Sequence, residues 1–217
     1  MELDWKTFIK GTYQKPHFWK RMLMCFVSVV IMGFCVSWLN YIELGTDPCS
    51  VMNFGISHLL GMSFGNWQAL LNVFLFVIVI WKDKSQIGFG TVFNMFLVGY
   101  SCDLMTWMRE HFWSNLIFDG LWLRLTVMII LLAIFVFAVA VYMSVELGTA
   151  PYDALPIIIA NGQKRLSFRT VRIIWDCTVT LIGYLTGGIV GIVTVIMAFT
   201  IGPMAAFVGK HIKKYIE

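Results

Sequence analysis

Residues 146–176 read ELGTAPYDALPIIIANGQKRLSFRTVRIIWD. The stretch breaks an apolar chain with a Gly-Thr-x-Pro turn and a short Pro-started helix. A polar turn follows, and then an apolar helix that carries Arg169, Arg172 and Asp176. A second copy stands earlier, at residues 43–72: ELGTDPCSVMNFGISHLLGMSFGNWQALLN. Two copies of one broken-helix motif organise the reading of everything else.

The chain has 217 residues, 59% of them hydrophobic and 13% charged. A soluble domain carries about 25% charged residues. The deficit leaves too little polar surface to face water, and the reading is a multi-pass membrane protein. Trp19, Trp81, Trp107 and Trp122 stand near the ends of apolar runs, as an interfacial belt requires. The first apolar run, residues 22–41, is too long for a signal-peptide core and is read as a retained span. The five cysteines are scattered through apolar runs and read as packing residues, with neither disulfide nor metal spacing. The net charge of +4 sits at span ends. It argues topology and gives no nucleic-acid signal.

Shifting the chain by 103 residues places Glu43, Leu44, Gly45, Thr46 and Pro48 on Glu146, Leu147, Gly148, Thr149 and Pro151. The same shift places Gly88, Thr91, Val92, Phe96 and Gly99 on Gly191, Thr194, Val195, Phe199 and Gly202. Ser63-Phe64 meets Ser167-Phe168 after a one-residue slip. Matches at both ends of a unit point to duplication.

The expected architecture is all-α, with six transmembrane helices as two inverted three-helix repeats. Each repeat has a short broken or re-entrant helix after its first span. Repeat 1 covers 22–108 and repeat 2 covers 125–208, joined by a loop at 109–124. A basic lead-in at 1–21 and a basic tail at 209–217 flank them. The expected spans are 22–42, 66–81, 87–108, 125–145, 171–187 and 189–208, with short helices over 48–61 and 151–162. A short helix of 14 residues reaches only about 21 Å, against a bilayer core of about 30 Å.

Three spans is an odd number, so the second copy runs opposite to the first. With both termini cytoplasmic, 14 of the 16 basic residues fall inside, leaving Arg109 and Arg124 outside. An eight-segment topology with both short helices crossing scores the same. Helix length decides for six spans, because residues 151–162 carry Pro156 in their middle.

Charged residues inside a membrane helix are costly and mark function or pairing. Arg172 and Asp176 share a helix face at i,i+4 spacing, with Arg169 one turn before and Asp153 in the first turn of the short helix. These four are the candidate substrate-binding cluster, against the plainer reading of a structural salt-bridge clamp. In repeat 1, Gln68 and Asn72 take the places of Arg172 and Asp176, and are either the amide side of the site or interhelical glue. Thr46 and Thr149 sit in the Gly-Thr-x-Pro turns, whose helix N-termini, aimed at a cavity, favour anions, against the plainer reading of a sharp interfacial turn without ligand. Asp176, Glu43, Glu146 and Asp103 are candidates for proton coupling.

The expected ligand is an unknown small polar solute, anionic or zwitterionic, bound by a small secondary transporter or exporter. The alternative is an accessory or scaffold protein supporting another membrane complex, with a homodimer or membrane-protein partner in view. No nucleophile triad, phosphate loop, metal motif or cofactor motif argues for an enzyme.

At the second motif the chain resembles the YczE/YitT-type family of bacterial multi-pass membrane proteins. The likeness rests on Gly148-x-x-Pro151-x-Asp153-x-Leu155 and Ser167-Phe168-Arg169-x-Val171-Arg172-x-x-x-Asp176. Gly187-Gly188-x-x-Gly191, Thr194 and Ile201-Gly202-Pro203 extend it, as do Gly45-x-x-Pro48 and the run from Gly88 to Asp103. Cys49-Ser50 and Asp176 depart from the pattern, which usually has Trp-Asp and often Glu there. The resemblance implies this fold in a bacterial plasma (inner) membrane.

Overall fold

A computed structural model of the chain describes residues 15–116, 118–163 and 165–216. Lys6, Lys10 and Lys164, counted above among the inner basic residues, lie outside them, as do the side chains of Lys213 and Lys214.

The described residues form eight α-helices and no strand. They are α1 (Phe18–Tyr41), α2 (Pro48–Leu59), α3 (Phe64–Lys82), α4 (Phe89–Phe112), α5 (Leu121–Ser144), α6 (Pro151–Asn161), α7 (Phe168–Leu185) and α8 (Ile192–Ile216). The helix starts repeat. Adding 103 to the first residues of α1, α2 and α4 gives those of α5, α6 and α8, and adding 104 takes α3 to α7. Among the described residues three helices, α1, α3 and α5, are long and apolar enough to cross a membrane. Helix α8 runs past the expected span end at 208 and takes the basic tail into the helix.

Local signals explain the starts. Pro48 and Pro151 open α2 and α6, where the missing amide hydrogen costs nothing. Asp47 caps α2, its Oδ1 accepting from Ser50 N at 3.1 Å. Ser63 caps α3 by accepting from Asn66 N, and Ser167 caps α7 by accepting from Thr170 N, both at 3.2 Å.

Packing follows the same offset. Helix α1 packs on α4 as α5 packs on α8, and α2 packs on α7 as α6 packs on α3. The contacts of α3 with α4 and of α2 with α3 likewise have partners in α7 with α8 and α6 with α7. One apolar core joins α1, α4, α5 and α8 around Val29, Leu39, Val139 and Val193. A second joins α2, α3, α6 and α7 around Met52, Val79, Leu155 and Val179.

Helices α1 and α5 are antiparallel neighbours. Near the start of α1, buried Arg21 donates from Nη1 to Val145 O, just after α5 ends. At the other end, Arg124 near the start of α5 pairs with Glu43 at 3.3 Å, just after α1 ends. Cations near helix C-termini are stabilising on both counts.

The two Gly-Thr-x-Pro breaks dock reciprocally. Gly90 N donates to Leu147 O at 2.8 Å, and Val193 N, 103 residues on, donates to Leu44 O at 3.1 Å. Gly45 (φ 90°) lies against Gly191 and Thr194, and Gly148 (φ 112°) against Gly88 and Thr91. Both conformations favour glycine, and a Cβ on either would run into the opposing backbone.

Candidate functional site

Arg172 is the hub of the buried polar region. From α7 it donates from Nη1 to Asp153 Oδ1 on α6 at 2.6 Å, and from Nε to Asp176 Oδ2 one turn along at 3.0 Å. The Tyr152 hydroxyl donates to the other oxygen of Asp176 at 2.8 Å. The Arg172 guanidinium also lies 5.5 Å from the centre of the Tyr152 ring, and Trp175 packs on that ring at 5.7 Å. Asp176 is buried, with 4% of its surface exposed, so pairing is what makes its charge tolerable there.

The first half also reaches this region. Cys49, in the first turn of α2, packs in the apolar cluster that holds Tyr152 and Trp175. Asp153, in the first turn of α6, pairs with Arg172 beside the same Tyr152. The starts of α2 and α6 therefore both border one cluster, although their breaks lie at opposite ends of the α1–α5 pair.

Gln68 and Asn72 lie on the buried face of α3, between Phe64 and Leu75, with 5% and 4% of their surface exposed. Neither makes a hydrogen bond within the described protein. Their repeat counterparts, Arg172 and Asp176, are bonded to each other. Asn53 on α2 is 1% exposed. It donates from Nδ2 to Cys49 Sγ at 3.5 Å, while its Oδ1 has no partner. Trp67 Nε1 and Trp175 Nε1 are also buried and unpartnered.

Other expected residues lie elsewhere. Arg169 is exposed and outside the bonded cluster. Glu43 and Glu146 are exposed, both in the left-handed region with φ 57° and 54°, where they turn the chain out of α1 and α5. Asp103 on α4 accepts from Gly65 N at 3.0 Å and so tethers the start of α3. Thr149 binds the 83–88 turn, its N and Oγ1 donating to the main-chain and side-chain oxygens of Gln86 at 2.8 and 3.2 Å. Thr46 is buried in the first break, with Oγ1 3.5 Å from Asp47 O.

Residues 19–210 match a family described as "Family of unknown function (DUF6198)". The chain belongs to that family. It is 27% identical over 190 residues to an uncharacterized protein of Haemophilus influenzae, covering 87% of this chain and 83% of the relative. It is 21% identical over 188 residues to "Uncharacterized membrane protein YczE" of Bacillus subtilis, covering 86% and 84%. It is also 25% identical over 140 residues to "Uncharacterized protein YyaS" of the same organism, covering 64% and 68%. No solved structure matches. The resemblance to the YczE type stands, and with it an all-helical membrane protein.

For this member of the family, the cluster combines two ion-paired carboxylates, a guanidinium and a phenol inside an apolar bundle, with the buried Trp175 Nε1 unpartnered beside it. Buried polar groups without partners are uncommon, and each asks for an explanation such as a bound ligand.

Proposed function

We propose that this protein is a small secondary transporter of a polar solute, built as two inverted repeats of three spans around one central site. The observation that carries the reading is that the first turns of α2 and α6 both border the Arg172 cluster, through Cys49 packed with Tyr152 and Trp175 and through Asp153 paired with Arg172, from breaks at opposite ends of the α1–α5 pair. Inverted-repeat transporters place discontinuous helices with their N-termini at the binding site near mid-membrane. The repeated helix starts, the antiparallel α1 and α5 and the reciprocal docking of the breaks support the same arrangement. In this reading α2 and α6 are re-entrant. The site spans Asp153, Arg172 and Asp176 on the charged side, and Gln68 and Asn72 on the amide side.

The asymmetry of basic residues supports cytoplasmic termini in a bacterial plasma membrane. Asp176 is the group proposed to couple solute movement to protons, because it binds both Arg172 and Tyr152.

The test is reconstitution into liposomes that hold a pH-sensitive dye, challenged with pools of small polar metabolites. The expected result is solute-dependent flux or proton movement that Asp176→Asn abolishes while the protein stays folded. Flux unchanged in that variant would remove Asp176 from the mechanism. Absence of flux for every pool, with one membrane protein co-purifying in fixed ratio, would favour an accessory role.

A further inference from the structure

We infer that the seam between α7 and α8 is the mouth through which the Arg172 site opens to one side of the membrane, while the equivalent seam between α3 and α4 is shut. The inference rests on the transporter reading for its purpose. The contrast between the two seams stands on the residues themselves.

The α3–α4 seam is stitched at three places. Gly65 lies directly on Gly99, where a Cβ on Gly65 would stand 2.9 Å from the Gly99 carbonyl carbon. Gly65 N donates to Asp103 Oδ2 at 3.0 Å, and the Tyr100 hydroxyl donates to Asn66 Oδ1 at 3.3 Å. Small residues let two helices approach this closely. Gln68 is shut in behind the stitches, its Cβ 3.5 Å from where a Cβ on Gly99 would stand.

Repeat 2 lacks the residues for all three. Arg169 takes the place of Gly65, Thr170 that of Asn66, Pro203 that of Tyr100 and Ala206 that of Asp103. Arginine is too large for a backbone-to-backbone crossing, alanine has no side-chain acceptor and proline has no hydroxyl. In keeping with this, α7 meets α8 far more sparsely than α3 meets α4. The last turn of α7 is held instead by α2, where a Cβ on Gly183 would stand 2.7 Å from Met52 N. Helix α7 is thus fixed at its end and unstitched at its start.

The difference reaches the site. Arg172 and Asp153 have 27% and 38% of their side-chain surface exposed, whereas their repeat counterparts Gln68 and Ser50 are buried. Charged side chains in a membrane bundle face its interior or water, so this exposed surface looks onto water. Arg169, exposed one turn before Arg172, stands at the unstitched start of α7. In the inverted arrangement the starts of α3 and α7 lie on opposite sides. The shut seam is then the outer one and the open seam faces the cytoplasm. Inverted-repeat transporters gate one repeat against the other around a fixed site, and here the residues make α7 the wall that gives way.

The experiment labels single cysteines in a cysteine-free background, in sealed oriented vesicles, with an impermeant methanethiosulfonate reagent. Asp153→Cys is expected to react from the side on which position 83 labels, about tenfold or more faster than Ser50→Cys reacts from the other side. Arg169→Gly with Ala206→Asp copies the first-repeat stitch into the second and is expected to slow the Asp153→Cys reaction by a like factor. Spin labels at Phe168→Cys and Phe207→Cys are expected to draw together in the same stitched variant, which keeps the test open if Asp153→Cys fails to fold. If the stitched variant itself fails to fold, the contrast between positions 50 and 153 still decides. Equal reactivity at those two positions, reaction of Asp153→Cys only from the side of position 119, or a rate and a spin distance unchanged by the stitch, would overturn the inference. Labelling as expected without liposome flux for any solute would sink only the transport reading. Solute flux with position 153 unreactive from the side of position 83 would sink only this inference.

Discussion

Gly90 and Leu147 are joined by a 2.8 Å backbone hydrogen bond that pins the break after α5 to the start of α4. Its counterpart 103 residues away joins Val193 and Leu44 at 3.1 Å. Each half thus holds the other half's broken motif, and neither break is a free loop. A Cβ at Gly148 would meet Gly88 and Thr91 at a backbone φ of 112°. Gly148→Ala is expected to cost at least about 2 kcal/mol, from strain plus overlap. Thermal denaturation in detergent checks it, and Gly45→Ala should behave alike.

Arg172 balances two carboxylates, so removing it leaves both without a counter-charge and Asp176 with only the Tyr152 hydroxyl. Arg172→Leu is expected to destabilise by about 3 kcal/mol or more. Asp176→Leu added to Arg172→Leu should cost much less than the two single losses together, with a coupling of about 1–3 kcal/mol. Additive losses in the four-variant cycle would mean the ion pair is incidental.

The exposed pair between Arg124 and Glu43 sets a contrast. Glu43→Gln is expected to change stability by no more than about 1 kcal/mol, and less at high salt. A loss as large as that of Arg172→Leu would give this pair an unforeseen weight.

Asp83, in the turn between α3 and α4, has its carboxyl held below the usual carboxylate range. The Ser85 hydroxyl is the first cause, joined by Ser85 N and Gln86 Nε2. A depressed acid contributes stability that is present above its unfolded value and lost as pH falls through its folded value. The melting-point gap between the parent and Asp83→Asn should therefore be full near neutrality and close under acid. A gap constant from pH 7 to strongly acidic conditions would contradict this.

Much of the fold was legible because it was written twice. Gly45, Gly148, Pro48 and Pro151 are residue types that backbone geometry demands, so their spacing survived as a readable offset. Asp153, Arg172 and Asp176 were legible as a group because i,i+4 spacing and a nearby helix start place them together. Cys49 was less so. Its packing with Tyr152 and Trp175 depends on how helices from different halves converge, which no local pattern encodes. Arg169 misled for the opposite reason: one helical turn from Arg172 is close in sequence, yet the helix turns it outward.

The central claim is that α2 and α6 enter and leave on the same face, so that the halves oppose each other around one site. Single cysteines at Asp83→Cys, Asp119→Cys and Gln163→Cys, in a cysteine-free background in sealed oriented vesicles, test it with an impermeant thiol reagent. Positions 83 and 163 are expected to label from the same side and 119 from the other. If 163 labels with 119 and against 83, the short helices cross the membrane and the account fails.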